Sequence, residues 1–102
     1  MEEEKRDFNT IDRKYEFVAC NPCNQHVITA KNGVVFNAHD EGLPTTLMTY
    51  YKECKRLGCD QYTLDSVLNL IGRVEKFQRK NGCKPADIDL PCEVDRCVRG
   101  LL

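Results

Sequence analysis

Seven cysteines in 102 residues are the densest reactive chemistry in this chain. Cys20 and Cys23 stand two residues apart around Asn21 and Pro22, and Cys54 and Cys59 are separated by four residues. A two-residue spacer folds as a knuckle that aims two thiolates at one ion, and zinc takes four sulfur or nitrogen ligands tetrahedrally. The expected metal set is therefore Cys20, Cys23, Cys54 and Cys59, with zinc as the cofactor. Cys92 and Cys97 repeat the four-residue spacer, so they are an alternative second pair, or a second site with Cys83. His26 and His39 are the two histidines, and His39 is the first substitute ligand if Cys59 is free. The plain alternative is that cysteine packs as a small hydrophobe, which fits Cys54 within an apolar helical stripe.

The same thiols admit a redox reading. Cys20-Asn21-Pro22-Cys23 after an apolar strand is similar to the active-site turn of thioredoxins, and Gly42-Leu43-Pro44-Thr45-Thr46 is similar to their cis-proline segment. That resemblance implies thiol–disulfide exchange through Cys20 and Cys23. Thioredoxins place a helix directly after the motif, whereas a hairpin is expected here, and the interval before Leu43-Pro44 is too short for the elements between. The ligand order also resembles a ββα zinc finger, in which a knuckle and hairpin precede a helix carrying the other pair. The interval from Cys23 to Cys54 is longer than in such fingers, and cysteines stand in place of both histidines.

Other reactive patterns are sparse. The chain carries no Gly-rich phosphate loop, nucleophile elbow or His-Glu-x-x-His, so a non-enzyme is expected and no small-molecule substrate is evident. Adjacent His39, Asp40 and Glu41 are poorly arranged to converge on one substrate. The net charge of -1 gives no global attraction to nucleic acid. The helical half does lean positive, through Lys52, Lys55, Arg56, Arg73, Lys76, Arg79, Lys80 and Lys84, which keeps nucleic acid open as a partner. No apolar run approaches the roughly 20 residues that span a bilayer, so no membrane segment is expected. Met1–Asp7 holds no apolar core of a secretory signal, and the cysteine count is odd. Since disulfides are rare in reducing compartments, the expected setting is cytoplasmic, or nuclear for a eukaryotic or viral host protein.

Positioning these residues requires an α+β fold. Hydrophobic residues at 41% and charged residues at 30% describe one globular domain over 14–102, zinc-stabilised, behind a flexible charged arm at 1–13. Tyr15-Glu16-Phe17-Val18-Ala19 reads as a strand, and Val27–Ala30 and Val34–Phe36 as two more. Asn32-Gly33 between the last two predicts a type I′ hairpin tip, giving a small antiparallel sheet over about 15–37 around the Cys-x-x-Cys knuckle. Apolar spacing predicts a first main helix from Pro44 or Thr45 through Leu47, Met48, Tyr51 and Cys54, ending near Gly58. A second, longer helix is predicted with Thr63 as its N-cap. Its stripe is Leu64, Val67, Leu68, Ile71, Val74 and Phe77, with Leu70 beside it, and Asn81-Gly82 ends it. Pro91 starts a short third helix through Val94, Cys97 and Val98. The expected function is a small intracellular regulatory or adaptor protein, zinc-stabilised, that binds another macromolecule, with protein favoured by the charge. Tyr50, Tyr51 and Tyr62 are the expected contact residues if exposed. The alternatives are a nucleic-acid-binding zinc-finger-like module and a thiol–disulfide redox protein using Cys20 and Cys23.

Overall fold

A computed structural model describes residues 9–86 of the chain. The third helix expected at 91–98, with Cys92 and Cys97, lies outside the described residues. The described residues fall into two compact units, 9–35 and 36–86.

The first unit is built on a two-stranded antiparallel ladder, β1 (Val18–Cys20) and β2 (Val27–Thr29). Val18 pairs with Thr29, Ala19 with Ile28 and Cys20 with Val27. The connection is residues 21–26, which carry Pro22 and Cys23 of the Cys-x-x-Cys segment, so the ladder turns there and not at the expected Asn32-Gly33. Neither Asn32 nor Gly33 takes the positive φ that a type I′ turn requires. Asn32 turns the chain locally instead. Its backbone N–H donates to the Thr29 carbonyl at 3.1 Å, and its side-chain oxygen accepts the Thr29 N–H at 2.9 Å. Asparagine side chains offer the backbone such an alternative to a ladder. Gly33 then runs close under the sheet, where a Cβ would stand 3.1 Å from the Ile28 side chain. The strand expected at Val34–Phe36 does not form.

Asp12 explains where that segment's hydrogen bonds go. Its carboxylate is buried, and one oxygen accepts the Lys14 and Tyr15 N–H groups at 2.9 and 2.8 Å. The other accepts the Val35 N–H at 2.9 Å. The Ile11 and Asp12 N–H groups both donate to the carbonyl of buried Ala30. A buried carboxylate needs such donors, and each satisfied amide ties another stretch of chain to residue 12.

The second unit is a helical hairpin of α1 (Leu43–Arg56) and α2 (Gln61–Asn81). Pro44 fits the first turn of α1, where an N–H has no intrahelical partner. Lys55 and Arg56 place positive charge at its C-terminal turn, where the helix dipole is negative. Leu43 and Cys54 on α1 and Leu64, Val67, Ile71 and Val74 on α2 are the buried apolar side chains. The α2 set repeats at three and four residues, one helical face. Phe77 continues it half-buried, whereas Leu68 is 40% exposed and Leu70 is 38% exposed.

The open end of the hairpin is tied by backbone and side-chain bonds. Lys84 N–H donates to the His39 carbonyl at 2.9 Å, and Glu41 N–H donates to the Lys84 carbonyl at 2.8 Å, a parallel bridge around Asp40. The Gln78 amide donates to the Ala38 and Asp40 carbonyls at 2.9 and 2.7 Å. The His39 ring meets Phe77 edge-on, with centroids 4.8 Å apart. Among the described residues no helix is long and apolar enough to cross a membrane.

Candidate functional site

At the closed end of the hairpin, helix capping brings Cys54 and Cys59 together. Leu57 is the C-cap of α1, and Gly58 follows with φ of 81°, a conformation glycine adopts without steric cost. Gly58 N–H donates to the Lys55 carbonyl at 3.1 Å, and Cys59 N–H donates to the Cys54 carbonyl at 3.0 Å. These two bonds make a Schellman motif, whose 6→1 bond joins the second residue past the cap to the third-last helical residue. The motif normally carries an apolar contact between those two side chains, and here both are cysteines. Cys54 is buried and Cys59 half-buried.

Tyr50 sits one turn before Cys54 on the same face of α1. Its phenol is held above the ordinary tyrosine range, first by hydrogen bonding with the Cys54 side chain, then by charge on that sulfur, with smaller parts from burial and Cys59. The Cys59 thiol is also pushed up. Desolvation leads, followed by charge on Cys54, the hydrogen bond with its side chain and the neighbouring Asp60 carboxylate. The Asp60 carboxyl is shifted the other way, below the ordinary carboxylate range, because it accepts the Thr63 N–H and is bonded by the Thr63 side chain. That N–H bond is 2.8 Å and makes Asp60 the N-cap of α2. Thr63, the expected cap, is instead the third residue of the helix, since the Asp60 carboxylate already takes its amide.

Cys20 and Cys23 occupy a different setting, both exposed on the β1–β2 connection. Asn21 organises it: its N–H donates to the His26 carbonyl at 2.8 Å, and its side-chain oxygen accepts the Cys23 N–H at 2.9 Å. Asn24 accepts the His26 N–H at 2.9 Å, and Gln25 takes a φ of 62°. Local side-chain bonds therefore define the turn, and the two thiols are free at its surface.

The four expected ligands thus lie as two pairs, Cys20 and Cys23 in the first unit and Cys54 and Cys59 in the second. Among the described residues no group of three or more His, Cys, Asp and Glu side chains is gathered as a metal site. His26 is exposed, and His39 is half-buried against Phe77, so the ring of the substitute ligand already has a structural contact. Of the three tyrosines expected to make contacts, Tyr62 is 88% exposed and Tyr50 57%, while Tyr51 is half-buried. Leu57, which is not among the expected contacts, is 65% exposed at the α1–α2 connection. Its place at the helix end was readable from Gly58, because a glycine there marks where a helix stops. Compared with protein-family models, curated proteins and solved structures, the chain matches none.

Proposed function

We propose that this chain is a small regulatory or adaptor protein that binds another protein through the closed end of its helical hairpin. The observation that carries this reading is the exposure of Leu57 and Tyr62 at the α1–α2 connection, with exposed Tyr50 two turns earlier. Tyrosine is enriched at the centres of interfaces, where its ring is buried while its hydroxyl keeps a partner. Tyr50 and Leu57 are seven residues apart, two turns along one face of α1, and Tyr62 stands in the first turn of α2. Zinc belongs to the same proposal as a stabilising cofactor, with the Cys20/Cys23 and Cys54/Cys59 pairs as the thiolates offered to it. The setting is the cytoplasm or nucleus, where those thiols stay reduced.

The test compares partners retained by the full chain with those retained by Leu57→Ser and Tyr62→Ser, two replacements at exposed positions that leave the core intact. A protein bound directly by the purified full chain and weakened tenfold or more by either change supports the reading. Equal retention by both variants overturns it.

A second reading has its own observation. Arg73, Lys76 and Lys80 recur at three and four residues on the exposed side of α2, and no ion pair engages them among the described residues. Arg56, by contrast, is paired with Glu53 on α1. Such a stripe suits the phosphates of a nucleic acid, whose binding falls steeply with salt. Affinity for RNA or DNA that is lost on replacing Arg73 and Lys76, and that drops with salt, would favour that reading.

A further inference from the structure

We infer that Cys54 and Cys59 form a reversible intramolecular disulfide across the Schellman turn that ends α1. The inference goes beyond the partner-binding and zinc readings and needs neither. It rests on backbone geometry. The 3.0 Å bond from Cys59 N–H to the Cys54 carbonyl holds the two residues together by their main chains. With standard backbone lengths, that bond keeps the two Cα atoms within roughly 6.9 Å, near the upper edge of the usual disulfide window. The side chains at these two positions approach each other in this motif, and both cysteines are free thiols. Gly58, with φ of 81° and nothing within 4 Å of a Cβ, leaves the turn room to adjust.

Unequal exposure orders the chemistry. Cys59 is half-buried and Cys54 is 5% exposed, so Cys59 meets the oxidant and Cys54 resolves. The oxidant is a small-molecule disulfide. The Cys59 thiolate attacks one of its sulfurs, the small S–S bond breaks, and one small thiol leaves. The Cys54 thiolate then attacks Cys59 Sγ in the mixed disulfide, the Cys54–Cys59 bond forms, and a second small thiol leaves. Two protein thiols are oxidised and one small disulfide is reduced, so two electrons and two protons pass to the small thiols.

The experiment treats the full chain, with chelator present, with excess oxidised glutathione under native conditions, then alkylates remaining thiols and maps the peptides by mass spectrometry. The expected result is a cross-linked peptide pair carrying Cys54 and Cys59, reversed by a small thiol reductant. In Cys54→Ser the expected product is Cys59 trapped as its mixed disulfide with glutathione. If that variant does not fold, the map of the unmodified chain decides alone. Alkylation of both Cys54 and Cys59 in oxidised protein that keeps its helical circular dichroism would overturn the inference. So would their pairing with other cysteines in place of each other. Zinc content is read separately on reduced protein, so either claim can fail without the other.

Discussion

The Asp60 carboxylate accepts the Thr63 amide at 2.8 Å, and the charged form is the one that does so best. Its pKa is therefore lower in the folded chain than in the unfolded one. The stability it contributes is complete above the unfolded carboxylate value of about 3.9 and is lost as pH falls through the lower folded value. Asp60→Ala is expected to lower the melting temperature by a few degrees at pH 7 and to change it much less near pH 2, which thermal melts followed by circular dichroism would read. Asp12 makes the buried counterpart, with three amides converging on one carboxylate. Asp12→Ala removes their acceptor, at a cost of about 2–3 kcal/mol to the first unit. Hydrogen exchange would show it as lost protection at the Lys14, Tyr15 and Val35 amides, with those of α2 unchanged.

At the scale of elements, two glycines give opposite expectations for one replacement. Gly58 has φ of 81° and an open surrounding, so Gly58→Ala costs about 1 kcal/mol through backbone strain alone. Gly72 lies inside α2, also with nothing within 4 Å of a Cβ, so Gly72→Ala stabilises by about 0.5–1 kcal/mol. Denaturant unfolding of both variants measures the pair. These helix signals are local, and that is why Pro44, Gly58 and Gly82 marked α1 and α2 legibly in sequence. The hairpin was legible only in part. Val18–Ala19 and Val27–Thr29 form strands, but Asn32-Gly33 signals a tip only when both flanks are free to pair. The Val35 amide instead goes to Asp12, 23 residues earlier, and no local pattern reveals that competition. Asp60 was missed as a cap for a related reason: Thr63 has the right type, and only the geometry shows which oxygen reaches the amide.

On the scale of the whole molecule, cysteine is used in two ways. One pair stands on a surface turn shaped by asparagine side chains, and the other is folded into a helix cap. Spacing made both pairs legible, because a short interval between thiols is a property of sequence. Which sulfurs share one ion is a property of the folded chain, and the spacing leaves that choice open. Cys54 and Cys59 cannot be disulfide and zinc thiolates at once, so the metal proposal applies to the reduced protein. Metal analysis of the reduced, purified full chain is the most direct measurement. About one zinc per chain is expected, with unfolding when a chelator removes it. A reduced, folded chain that contains no zinc and does not take it up would overturn the zinc proposal.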